Sequence, residues 1–381
     1  MRKTPTTPLT DKLLGLEALR FVAAFAVLVW HYQHFAFIAD KPADLVRTQL
    51  PFYNLLYPFY EAGEYGVWVF WCISGFIFFW KYRDTISDRT IAGWTFLVFR
   101  LSRLYPLHFA TLMVVALLQP IYFHQHGFFF VYQNNDIQHF LPQLLLASDW
   151  GLERSNSFNG PIWSISVEVL VYAVFFLMLR FVTKSPLLNV IVIVICVNLN
   201  VQVCSCLAFF YAGGLAAICR RAIARSRFRI WLESLAWCAA ITVPALIWSF
   251  DLQPAIISWV FVLTYTPVLL LCLSGEMALS APAQRLLVIA GNMTYSSYLL
   301  HFPVQLGIAE LFAVTRRPIP LYDDLFCAAV MMAILLASYL TYRYFEAPAQ
   351  TLIRGFLLSR SVGCSDGCSP ARGQPWPPIE P

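Results

Sequence analysis

The sequence predicts an all-α, polytopic membrane protein with about ten transmembrane helices, and three observations carry that prediction. Hydrophobic residues fill 59% of the 381 positions and charged residues only 12%, roughly half the charged share of a soluble domain. Apolar runs close to the roughly 20 residues that cross a hydrocarbon core of about 30 Å recur along the whole chain. Lys and Arg collect in alternate connections between those runs, as they do in loops retained on the cytoplasmic side.

The runs fall at 14–38, 64–82, 104–123, 161–182, 187–199, 203–219, 235–250, 254–273, 286–307 and 324–344, the fifth and seventh being short. Arg2, Lys3 and Lys12 precede the first. Lys81, Arg83, Arg89, Arg100 and Arg103 follow the second, and Arg180 and Lys184 follow the fourth. Arg220, Arg221, Arg225, Arg227 and Arg229 follow the sixth, and Arg343, Arg354 and Arg360 the tenth. Ten spans put all of these on one side, so both termini are expected in the cytoplasm. The other connections are mixed or acidic, with Asp40, Asp44, Glu61, Glu64, Asp136, Asp149, Glu153, Asp323 and Asp324. The net charge of +5 is then a topology signal, and no nucleic-acid partner is expected.

Three parts are expected: a cytoplasmic segment 1–13, a membrane domain 14–357 and a disordered cytoplasmic tail 358–381, rich in Ser, Gly and Pro. The first run is long, lacks a small-residue cleavage site and contains Arg20, so it does not read as a cleaved signal peptide. His124 to Asn159 reads as a long outer loop that helps shape an acceptor site. Eight of the ten cysteines lie within or beside apolar runs, where they are simplest as small core residues. Cys204 with Cys206, and Cys364 with Cys368, have no companion ligands at zinc spacing, so no metal is expected.

Arg20 and His31 share the first run. Eleven helical steps return to nearly the same bearing, which puts both on one face about 16 Å apart. Ionisable groups at such depth usually face a protein interior or a wet cavity. His31 lies toward the outer leaflet, where a neutral imidazole could take a proton from a hydroxyl; a histidine satisfied by a neighbouring carbonyl is the structural alternative. Arg20 needs an anion, a carbonyl or water, either from a polar donor molecule or from Glu17 three residues earlier.

Arg100 and Arg103 face one direction if helical and suit phosphates, although a positive-inside flank has the same composition. After Gly160 and Pro161, Trp163 fits an interfacial anchor, and Glu168 lies about one turn into its helix. A carboxylate there needs a partner, and His31 at similar depth is a candidate.

Taken together, these segments resemble the acyltransferase-3 family of integral membrane acyltransferases over essentially the whole apolar body. Gly15 to Arg20 through Trp30 and His31 is similar to its Arg, ten residues, His signature. Gly66 to Phe76, with Ser74, resembles its second-helix motif, and Arg100 to Pro106 its Arg-x-x-Arg-x-x-Pro motif. Trp163 to Tyr172 resembles its Trp-Ser-x-Ser-x-Glu motif followed by Tyr. Tyr295 to His301, including Tyr298, and Glu346 to Pro348 resemble its late-helix signatures. Trp68 and Val169 depart from the family, which often has acidic residues there.

The resemblance implies transfer of a short acyl group, usually acetyl, from acyl-CoA to a hydroxyl of a cell-envelope or exported carbohydrate or glycolipid. In that scheme His31 is catalytic, Arg20 and Glu168 assist, Arg100 and Arg103 engage coenzyme A, and Trp163, Ser74, Tyr298 and His301 support the site. The location implied is a bacterial inner membrane, multi-pass. A transporter or exporter of a polar glycan-related substrate is the competing class, and a membrane-bound O-acyltransferase using His301 is a second enzyme alternative.

Overall fold

The computed structural model of the chain describes residues 13–151, 156–199, 201–249 and 254–362. Residues 1–12, the tail beyond 362 with Cys364 and Cys368, and Glu153 lie outside the described residues. The helices are α1 (Leu14–His31), α2 (Tyr53–Ala62), α3 (Gly66–Ser87), α4 (Gly93–His126), α5 (Ile137–Leu144), α6 (Ile162–Leu177) and α7 (Pro186–Val197). They continue as α8 (Gln202–Arg225), α9 (Arg229–Ser249), α10 (Pro254–Leu273), α11 (Ala281–Asn292), α12 (Thr294–Val314), α13 (Asp324–Thr341) and α14 (Ala347–Val362). Strand structure among the described residues is a two-residue antiparallel pair, Phe37–Ile38 with Lys41–Pro42.

The expected runs are largely helical, the first giving way to the strand pair at Phe37. Among the described residues, seven helical segments are long and apolar enough, and Pro186–Val197 and Trp259–Leu273 are shorter apolar helices. At about 1.5 Å per residue, the 12-residue α7 reaches only about 18 Å, short of the hydrocarbon thickness. The expected run 286–307 breaks at Met293 into α11 and α12, and the long span is Thr294–Val314.

The third run was expected at 104–123, with Arg100 and Arg103 outside it. Instead α4 begins at Gly93 and runs 34 residues, so both arginines sit in its second and third turns. The outer connection starts late for the same reason: α4 carries His124 and His126 and ends at Gly127, whose φ of 77° closes the helix in the left-handed region. The connection also contains α5, capped by Asp136. A π-helical turn at Tyr342–Glu346 joins α13 to α14 without a break, and α14 continues through Val362, five residues into the expected tail.

The core is built where α3 crosses α8, with α7 and α10 packed on α8, while α4 packs on α12 and α14. Gly75 and Gly213 make the α3–α8 crossing close. A Cβ on Gly75 would run into the Phe210 carbonyl, and one on Gly213 into the Cys72 carbonyl. Phe76, Phe209 and Phe210 fill the surrounding core. Large apolar side chains also face outward, such as Leu117 at 71% and Phe181 at 70% exposure. Together with buried Arg20, Glu17, His31 and Glu346, this is a surface suited to lipid around an interior that holds the charge.

Candidate active site

A polar cavity and a buried histidine cluster lie inside the bundle. The cavity encloses about 880 Å³ of space, its open mouth included, between α1, α3, α4, α6 and α12. Its charged lining is Arg20, Arg100, Arg103 and Glu168, and its walls include Ile73, Ile77, Leu104 and Ile165. Helical spacing accounts for the arginine pair: residues three apart share a face, and α4 turns both toward this cavity.

The two arginines differ in what holds them. The Arg100 guanidinium lies 4.4 Å from the Phe78 ring centroid and donates to Tyr82 Oη at 2.5 Å. Phe78 in turn stacks on Tyr172 at 4.2 Å, so Arg100 crowns an aromatic pile that fixes its plane. Arg103 lines the cavity with no hydrogen-bond or ion-pair partner among the described residues. A guanidinium left open toward a cavity is a ready seat for an anionic group.

Arg20 forms an ion pair with Glu17 at 3.2 Å and also lines the cavity. The local partner therefore holds the side chain in place without removing it from the chamber. Glu168 accepts from Tyr172 Oη at 2.6 Å, and Ser74 Oγ lies 3.2 Å from the same hydroxyl. The expected pairing of Glu168 with His31 is not formed, because Tyr172, one turn on along α6, occupies the carboxylate. Trp163 is not a simple interfacial anchor: it meets Trp71 edge-on at 5.7 Å, and Trp71 also lines the cavity.

Tyr298 stands at the inner end of this lining. It donates to the Pro161 carbonyl at 2.9 Å and meets Ser164 Oγ at 2.7 Å. One turn further along α12, His301 belongs to the histidine cluster, its ring 5.9 Å from that of Tyr298.

There His31, His34 and His301 converge, with ring centroids 4.6 Å from His31 to His301 and 4.7 Å from His31 to His34. His31 Nδ1 lies 2.8 Å from the Val27 carbonyl. A carbonyl only accepts, so Nδ1 carries the hydrogen and Nε2 keeps its lone pair. Gln305 ties the group together: its Nε2 donates to the His31 carbonyl at 3.0 Å, and its Oε1 accepts from His34 Nδ1 at 3.1 Å. Among the described residues neither ring nitrogen of His301 has a hydrogen-bond partner of good geometry, although the Ser297 and Tyr298 backbone groups lie close to the ring. Arg20 and His31 thus lie on one helix but apart, Arg20 lining the cavity and His31 packed in the histidine cluster.

His34 and Gln305 were missed in the sequence. Both had a signal: His34 is three residues past His31, the spacing that brings side chains together on a helix, and Gln305 is an amide four residues past His301 in an apolar run. Among the described residues no group of His, Cys, Asp or Glu could hold a metal ion.

Long apolar helices enclosing buried arginines, a carboxylate and a histidine cluster define a multi-pass membrane protein with a chemically equipped interior. The profile of an acyltransferase domain, acyltransferase-3, matches residues 13–343, and the chain belongs to that family. It is also similar to the acyltransferase MdmB of Streptomyces mycarofaciens, 30% identical over 186 residues. That match covers 47% of this chain and 42% of the relative, so it spans under half the relative's length. No solved structure matches.

Proposed function

We propose that the protein is an O-acyltransferase that moves an acyl group, by preference acetyl, from cytoplasmic acyl-CoA to a hydroxyl of a cell-envelope or exported carbohydrate or glycolipid. The observation that carries this reading is the tautomer of His31, whose Nδ1–H is committed to Val27 while Nε2 keeps its lone pair among two further imidazoles. As the new C–O bond forms at the acyl carbon and the C–S bond breaks, the acceptor hydroxyl loses its proton to Nε2, which is general-base work. The Val27 carbonyl fixes the ring and stabilises the imidazolium that results.

The donor side fits the same scheme. Arg103 and Arg100 face the cavity as phosphate-binding groups, and the apolar walls suit the pantetheine arm. Arg20, held by Glu17, adds a further fixed positive charge to the donor side of the cavity beside Arg103. Glu168, tied to Tyr172 and Ser74, balances the arginines. The basic end of the bundle is then cytoplasmic, together with both termini, and the histidine cluster lies toward the outer leaflet of the cell membrane.

The test is the ester content of the envelope carbohydrate fraction, with acyl-CoA consumption, in membranes carrying wild type, His31→Ala or no protein. Ester that forms only with wild type supports the reading and identifies the acceptor fraction. Equal ester with His31→Ala removes His31 from the chemistry, and neither ester nor CoA release with any acceptor favours a transporter.

A further inference from the structure

Arg354 lies on α14, which packs along α4. Its Nε donates to Ser102 Oγ at 3.0 Å, and its guanidinium lies 5.5 Å from the Phe99 ring centroid. Ser102 is the neighbour of Arg103, so α14 carries a cation to the arginine pair of α4. The side chain is held from behind: Gln350 Oε1 accepts from Arg354 Nη2 at 3.3 Å, and Gln350 Nε2 donates to Glu346 Oε1 at 3.2 Å. Glu346 is buried in the π-helical turn and accepts from Ser296 Oγ at 2.6 Å.

The charge around this mouth is unbalanced. Arg20, Arg100 and Arg103 line the cavity, and Lys81 and Arg354 both lie within the field of Arg100 and Arg103. Three carboxylates, Glu17, Glu168 and Glu346, stand among these five cations. Like charges gathered in an apolar bundle repel, and a bound polyanion relieves that repulsion.

We propose that Arg354 is a third phosphate-binding arginine of the donor site and that it reads the phosphate farthest from the thioester, the 3′-phosphate of coenzyme A. The placement follows from order along the bundle. The thioester must reach inward past Arg103, so the adenosine end stays at the mouth. Arg354 does not line the cavity but stands beside its arginines on the far side of Ser102, where the outermost phosphate would lie. A guanidinium pinned by Ser102 and Gln350 keeps part of its donor fork free for an anion. The proposal rests on the acyl-CoA reading above.

The experiment compares equilibrium binding of coenzyme A and 3′-dephospho-coenzyme A to the full chain in lipid nanodiscs, for wild type, Arg354→Gln and Arg354→Lys. Wild type is expected to prefer coenzyme A by about tenfold or more, the scale of one charge-assisted phosphate contact. Arg354→Gln should lose that preference by weakening coenzyme A alone, and Arg354→Lys should restore part of it. A merely structural role for Arg354 would weaken both ligands equally. Equal weakening, a preserved preference in Arg354→Gln, or no preference in wild type overturns the proposal while leaving the donor reading intact. Wild type that binds neither nucleotide overturns the donor reading itself.

Discussion

At the scale of single residues, Arg103 and His31 are expected to fail in different ways. Arg103 faces the cavity with no hydrogen-bond or ion-pair partner among the described residues, so Arg103→Ala should raise the KM for acyl-CoA by about tenfold or more with kcat changed far less, which steady-state kinetics would show. The opposite split, with kcat lost and KM kept, would move Arg103 from recognition to chemistry. In the outer connection, the His139 side chain and backbone N–H hold the Asp136 carboxyl below its usual value. A carboxyl with a depressed pKa contributes stability above its unfolded value and loses it as pH falls through the folded value. The α5 cap should therefore survive acidification through about pH 4, the ordinary aspartate range. Amide exchange at His139 measures this, and loss of protection already near pH 5 would contradict it.

The placement of single residues was partly legible in the sequence. Arg20 and His31 stood out because an apolar helix makes ionisable groups conspicuous, and the Arg100 and Arg103 spacing foretold a shared face. The partners were less legible. Tyr172 takes the carboxylate that His31 was expected to share, and His34 and Gln305 join the histidine cluster across the α1–α12 contact. Such pairings depend on how helices rotate against one another, which periodicity along one chain does not encode.

At the scale of elements, the α3–α8 crossing is the contact least tolerant of added volume. Gly213→Leu places a side chain against the Cys72 carbonyl, a backbone atom that cannot rotate away. The expected cost is at least about 1–3 kcal/mol, as for overpacked cores, read as a lower thermal midpoint of the purified protein. An unchanged midpoint would mean that the two helices can separate without penalty. The same elements show where reading by hydropathy fails. Helix ends were misjudged at α4 because its first turns carry arginines that the bundle interior accepts, and the run 286–307 concealed the break at Met293 because α11 and α12 are both apolar.

At the scale of the whole molecule, the arginine cluster and the histidine cluster occupy successive levels of one bundle, about 16 Å apart as judged by the rise of α1 between Arg20 and His31. This matches an acyl donor reaching inward from the basic end toward an acceptor on the other. The topology this requires is open to a direct check. A cysteine at Arg89, between α3 and α4, should be labelled by an impermeant maleimide only from the cytoplasmic side, and one at Arg316, beyond α12, only from outside. Labelling at Arg89 from outside would separate the basic end from the compartment that holds acyl-CoA, and labelling at Arg316 from the cytoplasmic side would overturn the crossing of α12.

The central claim is that His31 Nε2 is the base for acyl transfer from a donor seated at the arginines. Its most direct test is one preparation of purified protein in nanodiscs, wild type against His31→Gln, in which coenzyme A binding and acceptor-dependent release of free CoA thiol are measured together. The account predicts unchanged coenzyme A binding and a loss of thiol release of about 100-fold or more, the scale of general-base catalysis. Thiol release by His31→Gln at the wild-type rate, with binding intact, would contradict it.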